Sequence, residues 1–71
     1  MNVLKRLRAE RQLTVRQLSL LSGIGTNTIN GLENKGQKAR PATLGKLSKA
    51  LNCTIDDLAE LMDQSPNLIA A

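Results

Sequence analysis

Residues 14–33, TVRQLSLLSGIGTNTINGLE, determine how this chain folds. Thr14 and Gln17 have the spacing of a capping box, in which each side chain accepts a hydrogen bond from the other residue's backbone at a helix N-terminus. Gly23 stands where a helix ends in a left-handed residue, a conformation that glycine adopts at little steric cost. The stretch therefore predicts a short helix, a tight glycine turn and a second short helix.

The apolar residues of this stretch give each predicted helix an inner face. Leu18 and Leu21 have the spacing of inward residues on the first helix, and Ile29 and Leu32 have it on the second. Ile24 returns to the core after the turn. The second helix then carries short polar side chains on its outer side, namely Thr26, Asn27 and Asn30. This layout is a helix-turn-helix, in which the second helix enters the major groove of DNA.

These residues resemble the Cro/C1-type helix-turn-helix family (XRE family), which includes the lambdoid phage repressors. The resemblance continues on both sides of the motif, over LKRLRAERQLT before it and LENKGQKARPATLGKLSKALNCTIDDLAEL after it, and covers most of the chain. A small residue, the glycine, the isoleucine and a Leu-Glu-Asn ending fall at the family's offsets. The resemblance implies an all-α fold, a compact five-helix bundle of the lambda-repressor-like DNA-binding type with its motif at helices 2 and 3.

Caps and apolar spacing place the remaining helices. Pro41 fits the first turn of a helix that Asn52 ends, and Thr54 caps one further helix. The predicted helices occupy residues 3–11, 14–22, 26–32 and 41–51, with a fifth after residue 54. We expect residues 1–64 to form one helix-turn-helix DNA-binding domain and residues 65–71 to form a flexible C-terminal tail.

The composition favours a small helical protein with an aliphatic core. The 71 residues include no Phe, Tyr or Trp, and no segment alternates apolar and polar residues as a half-buried strand does. No run approaches the roughly 18 apolar residues of a membrane span. The segment MNVLKRLRAE lacks the apolar run of a secretory signal. We therefore expect no membrane partner and a location in the cytoplasm, associated with the nucleoid.

The reactive residues do not suggest an enzyme or a metalloprotein. Histidine is absent and Cys53 is the single cysteine, which argues against an internal disulfide and a metal cluster. We interpret Cys53 as a reduced core residue rather than a redox switch, because no basic neighbour in the sequence lowers its pKa. No nucleophile stands with a base and an orienting partner, so neither catalysis nor a cofactor is predicted.

Positive and negative charges are segregated along the chain. All ten Lys and Arg residues lie between Lys5 and Lys49 with only two acids, an excess of eight positive charges. From Ala50 onward the chain has four acids and no base. A basic body with an acidic end is expected where one face meets phosphate and the opposite end does not. Asp56 and Asp57 also have a simpler explanation, because acids at a helix N-terminus complement its dipole.

The outward residues of the second motif helix have separate expected roles on DNA. Its N-terminal end reaches base edges, where Asn27 can bond adenine and Thr26 can bond an edge or contact a thymine methyl. Asn30, one turn further, can meet a base or a phosphate. The simpler interpretation is that each is a polar surface residue that keeps the helix soluble. The base-reading candidates are therefore Thr26, Asn27 and Asn30.

A second set of residues is expected to contact phosphates on either side of the groove. Such contacts set the register and most of the salt-dependent affinity without reading sequence. Thr28 is ambiguous, because its hydroxyl can bond backbone or phosphate. The alternative for the set is simple solvation. Its members are Arg16, Thr28, Lys35, Lys38 and Arg40.

The resemblance also implies a structural ion pair and reveals departures from the family. Arg8 and Glu33 match a pair that joins helix 1 to the end of helix 3, the alternative being two unrelated surface charges. Val15 replaces a residue that often bonds phosphate, so that contact does not transfer. Gly25 is a weaker cap than the usual hydroxyl residue. Gly31 replaces a long polar residue on the reading face.

Two functions remain open from the sequence. The first is a sequence-specific transcriptional regulator, a repressor that binds a palindromic operator as a homodimer, as the resemblance implies. We expect its self-association to use this domain's own surface, with Leu61 and Met62 as the candidate dimer residues. The second is an antitoxin or interaction module of the same fold whose main partner is another protein, served by Leu20 and the acidic C-terminal end.

Overall fold

The computed structural model describes residues 2–62, and the helices in that part of the chain are short. Four are α-helices and the last is a 3-10 helix, so the predicted all-α fold of five helices is confirmed. Their bounds are Val3–Glu10 (α1), Val15–Ser22 (α2), Thr26–Asn34 (α3), Pro41–Leu51 (α4) and Asp56–Leu61 (the 3-10 helix). The predicted tail, residues 65–71, lies outside the described residues.

Local capping explains where these helices begin and end. Thr14 Oγ1 accepts from the Gln17 N–H at 3.0 Å and Gln17 Oε1 accepts from the Thr14 N–H at 2.8 Å, which confirms the predicted capping box. Gly23 ends α2 in the left-handed conformation, with φ 74°. Pro41 begins α4, and Asn52 ends it at φ 55°.

Two predicted boundaries were wrong. α1 ends at Glu10 rather than Arg11, and α3 continues to Asn34 rather than ending at Leu32. The fifth helix is a 3-10 helix, and Leu58 within it departs from helical backbone angles, with φ −107° and ψ 15°.

The fifth helix is preceded by reciprocal hydrogen bonds between Thr54 and Asp57. The Asp57 N–H donates to Thr54 Oγ1 at 3.1 Å, and the Thr54 N–H donates to Asp57 Oδ2 at 3.0 Å. Hydrogen bonds from the backbone and side chain of Thr54 lower the pKa of the Asp57 carboxyl. These bonds fix the turn through which the chain leaves α4 and enters the last helix.

The core is a single cluster of aliphatic side chains contributed by every helix. α2 packs against α3 and α4, α1 packs against α3 and the 3-10 helix, and α4 also contacts the 3-10 helix. The fully buried side chains are Leu4, Leu18, Ile29, Leu32, Leu44, Leu47, Leu51 and Leu58. Within residues 2–62, no helix has the length and apolar content that a membrane crossing requires.

Leu21 was predicted to be buried and is not. It is 61% exposed, beside Leu20 at 77%. The residue of α2 that is buried one turn after Leu18 is Ser22, whose hydroxyl donates to the Leu18 carbonyl at 2.7 Å. The small side chain of Ser22 fills the inner position that Leu21 was expected to share, which leaves Leu21 turned toward solvent.

Two serines of α2 fix the turn that orients α3. The Ser19 hydroxyl donates to the Ile24 carbonyl at 2.6 Å, and the Ile24 N–H donates to Ser22 Oγ at 3.2 Å. Ile24 itself is buried, as predicted. Because both backbone polar groups of Ile24 are bonded to α2, the turn is determined by side chains as well as by the glycine.

Candidate nucleic-acid interface

One side of α3 is polar and faces away from the core. Helical spacing puts positions 27, 30, 31 and 34 on one side, opposite the buried Ile29 and Leu32. We call the side made by Asn27, Asn30, Gly31 and Asn34 the outer face of α3. Its three asparagines are exposed, and Thr26 and Thr28 are exposed at its edges. This is the accessibility that contact with a groove requires.

The N-terminal end of α3 has few internal partners. Gly25, at the cap position, supplies no side-chain hydrogen bond to the first turn. Among residues 2–62, no hydrogen bond is formed by the side chains of Thr26, Asn27 or Thr28. The first backbone N–H groups of a helix carry partial positive charge and lack intrahelical acceptors. This end is therefore available to an anionic or hydrogen-bonding ligand.

Further along the outer face, asparagine side chains bond to each other. Asn34 Nδ2 donates to Asn30 Oδ1 at 2.6 Å, and Lys5 Nζ from α1 lies 3.5 Å from Asn34 Oδ1. Asn30 is thereby held with its Nδ2 group free to donate. Sequence reasoning missed Asn34 and Lys5. The four-residue spacing of Asn30 and Asn34 was the available signal for the first of them.

The C-terminal end of α3 is fastened to α1 by a buried ion pair. Arg8 Nε donates to Glu33 Oε2 at 2.6 Å and Arg8 Nη2 donates to Glu33 Oε1 at 3.0 Å, a bidentate arrangement. The Glu33 side chain is 1% exposed and the Arg8 side chain 15%. The hydrogen bonds that Arg8 donates to the Glu33 carboxylate raise the pKa of Arg8, against the effect of burial. Arg8 Nη1 also donates to the Leu13 carbonyl at 2.7 Å.

A second tie joins the N-terminus to the same end of α3. Asn2 Oδ1 accepts from the Lys5 N–H at 2.9 Å and so caps α1. Its Nδ2 donates to the Leu32 carbonyl at 2.5 Å. Asn2 thus begins one helix and satisfies a carbonyl near the end of another, a link across 30 residues that the sequence pattern did not predict.

Gly31 is covered by a side chain from the following loop. Although Gly31 lies on the outer face of α3, it is buried, and a methyl group added there would overlap the Gln37 amide. The place of the long polar side chain that Gly31 replaces is thus taken by the Gln37 amide. Gln37 was not singled out from the sequence, since no spacing rule links it to Gly31.

The expected phosphate-binding residues lie on α2 and on the segment after α3. Arg16 is exposed in the first turn of α2, and Lys35 and Arg40 are exposed before and after the loop. Lys38 is also exposed, but its Nζ donates to the Glu60 carbonyl at 2.7 Å. The neighbouring Ala39 N–H donates to the Leu61 carbonyl at 2.6 Å. This loop is thus held against the 3-10 helix.

The two residues expected to form the dimer surface, Leu61 and Met62, pack against the core of the same chain. Leu61 is 4% exposed and belongs to the core, and Met62 is partly buried against that core and forms a backbone bridge with Ala39. Leu61 is buried because the 3-10 helix turns its apolar side toward α1 and α4. Among residues 2–62, the large apolar side chains that are exposed are Leu20, Leu21 and Ile55.

Cys53 lies half-buried at the edge of the core. Burial raises the pKa of its thiol, and the nearby Asp57 carboxylate raises it further, while Arg11 acts in the opposite direction. A raised pKa leaves less of the reactive thiolate at neutral pH. Within the described residues, no group of three or more His, Cys, Asp or Glu side chains is placed to hold a metal ion.

Comparison with known proteins identifies the family of this chain. The helix-turn-helix family HTH_3 matches residues 4–58. The chain is 39% identical over 66 residues to the competence pilus inhibition repressor of Acinetobacter baylyi, covering 89% of this chain and 60% of that protein. It is 43% identical over 56 residues to the HTH-type transcriptional repressor RghR of Bacillus subtilis, covering 78% of this chain and 42% of that protein.

A further relative has the same degree of similarity. The uncharacterized HTH-type transcriptional regulator RghRB of Bacillus subtilis is 43% identical over 56 residues, covering 78% of this chain and 40% of that protein. The chain thus spans 40% to 60% of the length of these three relatives. No solved structure matches the chain significantly.

Proposed function

The chain belongs to the helix-turn-helix family of Cro/C1 type (XRE family), and from this premise we propose that it is a sequence-specific DNA-binding repressor of transcription. The observation that carries the proposal is the outer face of α3. That face presents exposed amide side chains, and Asn27 at its N-terminal end forms no side-chain hydrogen bond within residues 2–62. The other end of the helix is fastened to α1. Residues 1–64 are proposed as the DNA-binding unit, acting at the nucleoid in the cytoplasm and without catalysis.

We assign one DNA contact to each exposed polar residue in the first part of α3. Asn27 bonds the N6 and N7 edge of an adenine, and Thr26 bonds a neighbouring edge or contacts a thymine methyl. Asn30 donates through Nδ2 to a base or a phosphate, because its Oδ1 already accepts from Asn34. Thr28, at the edge of the face, contacts the backbone of the duplex.

The basic residues bind the phosphates on either side of the groove. Arg16 on α2 and Lys35 and Arg40 after α3 are exposed and free to reach phosphate oxygens. We expect Lys38 to contribute less than these three residues, because its ammonium group must break its hydrogen bond to the Glu60 carbonyl before it can bind a phosphate. Such contacts give affinity for any sequence and make that affinity fall with salt.

Selection of bound duplexes from a random pool of double-stranded DNA, using the purified chain, tests the proposal directly. We expect enrichment of a common sequence, with affinity at least about 10³-fold above that for random DNA. Recovery of duplexes without any common sequence would contradict sequence-specific binding. Recovery of no DNA at low salt would contradict DNA binding altogether.

We also propose that the repressor binds a palindromic operator as a homodimer. Two identical recognition helices need half-sites about 34 Å apart, one turn of the duplex. The selected sequences should therefore contain an inverted repeat with that spacing. Sedimentation of the complex with one such duplex should give two chains per duplex, whereas one chain on a sequence without symmetry would contradict the homodimer.

A second candidate function has an observation of its own. Leu20 and Leu21 are adjacent and exposed on α2, which is unusual for large apolar side chains without a partner. In this alternative, an antitoxin or interaction module uses them against another protein. An electrophoretic shift of a specific DNA fragment by the purified chain alone favours the repressor, and the absence of any such shift favours the alternative.

A further inference from the structure

We propose that Gln37 is a base-reading residue that contacts an adenine in the major groove from the loop after the recognition helix. The inference rests on the proposed DNA-binding function and adds a specificity-determining residue that α3 itself does not supply. The geometry that leads to it is the contact between Gln37 and Gly31.

Gly31 is the exception on the outer face of α3. The other three positions of that face, Asn27, Asn30 and Asn34, are exposed, while Gly31 is buried although helical spacing turns it away from the core. A methyl group built on Gly31 would overlap the Gln37 amide oxygen and carbon, and would lie 3.0 Å from Gln37 Nε2. The Gln37 amide therefore occupies the space that a side chain at position 31 would fill.

The backbone of the loop holds Gln37 over the helix. The Gly31 carbonyl accepts from the Lys35 N–H at 3.0 Å and from the Gln37 N–H at 3.3 Å. Between these donors, Gly36 takes the left-handed conformation with φ 66°, which turns the chain back along α3. After Gln37, the Ala39 N–H is bonded to the Leu61 carbonyl. The loop is thus fixed before and after Gln37, while Gln37 itself remains exposed.

The Gln37 amide has the chemistry that adenine recognition needs. An amide offers one acceptor and one donor group, which match N6 and N7 of adenine. Asn30 and Asn34 bond each other, whereas among residues 2–62 the Gln37 side chain forms no hydrogen bond. Both of its polar groups are therefore available to a base. Since they lie over Gly31, the residue that follows Asn30, we expect them to meet a base next to one read by the helix.

The test is selection of bound duplexes with the wild-type chain and with Gln37→Ala. We expect the variant to lose preference at one or two adjacent base positions in each half-site, by about 5- to 150-fold per base, with affinity for random DNA within about twofold. An unchanged sequence preference would overturn the proposal. An equal loss of affinity for every sequence would also overturn it, since that result indicates a phosphate contact.

Gly31→Ala gives a second, independent variant. The added methyl displaces the Gln37 amide, so we expect the loss of preference at the same base positions, and no further loss when both substitutions are combined. The thermal midpoint supplies a readout without DNA. Gly31→Ala should raise it by about 4–8 °C in the Gln37→Ala background, where only the helix preference of alanine acts, and by less in the wild-type chain.

The failure of this inference differs from the failure of the proposed function. A wild-type chain that selects no sequence overturns both. A wild-type preference that Gln37→Ala and Gly31→Ala both leave intact overturns only the role of Gln37. Equal midpoint shifts for Gly31→Ala in the two backgrounds would overturn the seating of the Gln37 amide on Gly31.

Discussion

The two ends of α3 are built differently. The C-terminal end is bonded to α1 through the buried Arg8–Glu33 pair and through Asn2, which donates to the Leu32 carbonyl. The N-terminal end begins at Gly25 without a side-chain cap. One end is thus fixed in position, while the Thr26 and Asn27 side chains at the other end form no hydrogen bond within residues 2–62. The nine residues of α3 thus run from the end that we propose to read DNA to the end that is fixed to the fold.

Removal of the ion pair at the fastened end should have the largest effect on stability. Breaking a buried, hydrogen-bonded pair leaves an uncompensated carboxylate, so Arg8→Ala should lower the free energy of unfolding by about 3–5 kcal/mol. Arg6→Ala is the matched control, because its pair with Glu10 is exposed and worth about 0–1 kcal/mol. Urea denaturation measures both. Equal, small losses would mean that the pair does not fasten α3.

Arg11 is not a suitable control for Arg8, although both lie near the end of α1. Its Nε donates to the Leu51 carbonyl and its Nη1 donates to the Leu7 carbonyl at 3.2 Å. Arg11→Ala therefore removes the hydrogen bond that joins the end of α1 to α4, and its loss of stability is not a baseline for an exposed arginine.

Two asparagines separate the roles of the two ends. Asn27→Ala should weaken binding to the preferred site by about 1–3 kcal/mol, relax one base position in each half-site and leave stability nearly unchanged. Asn2→Ala should do the reverse, with a loss of stability of about 0.5–2 kcal/mol from the lost cap and no change in base preference. Binding to duplexes with single base changes measures the base preference of both variants, and thermal denaturation measures their stability. A stability loss for Asn27→Ala as large as that for Asn2→Ala would contradict the separation.

The salt dependence of binding tests which basic residues contact phosphates beside the N-terminal end of α3. Arg40→Ala should reduce affinity for all sequences alike and flatten the slope of log affinity against log salt by about one unit. Lys49 is the control, since it lies roughly 13 Å further along α4. Lys38→Ala should flatten the slope less, because Lys38 already bonds the Glu60 carbonyl. The slopes are measured from binding isotherms across a salt series. If Lys49→Ala flattened the slope as much as Arg40→Ala, the assignment of Arg40 to a phosphate contact would be contradicted.

The smallest expected effect is on the thermal midpoint, when the cap residue of α3, Gly25, is replaced. Gly25→Ser adds a hydroxyl acceptor at the start of α3, and no atom lies within 4 Å of the added side-chain carbon. We expect a gain of a few tenths of a kcal/mol, which corresponds to about 1–3 °C in thermal midpoint. A lower midpoint would show that the open first turn is needed for the fold rather than left free for a ligand.

Local sequence patterns predicted the parts of this fold that depend on neighbouring residues. The Thr14–Gln17 capping box, the Gly23 turn and the Pro41 start of α4 all involve contacts within four residues, so their spacing is visible in the sequence. The prediction that Leu21 is buried was wrong because residues three or four positions after Leu18 can both lie on the inner face of α2. In the folded chain the buried residue is Ser22, four positions after Leu18.

The contacts that position the candidate site are mostly not local. Asn2 bonds a residue 30 positions away, and Gln37 covers Gly31 through a loop whose path depends on the 3-10 helix. No periodicity encodes such pairs. The Arg8–Glu33 pair was anticipated only through the family resemblance, which carries information about distant residues that spacing lacks.

The most direct measurement is an NMR titration of the ¹⁵N-labelled chain with a duplex that it selects. We expect the perturbed backbone and side-chain amides to centre on Thr26, Asn27, Asn30 and Gln37, with weaker shifts at Arg16 and Arg40. The buried end at Glu33 should change little. Shifts centred instead on Leu20 and Leu21, or on the 3-10 helix, would contradict the claim that the outer face of α3 reads DNA.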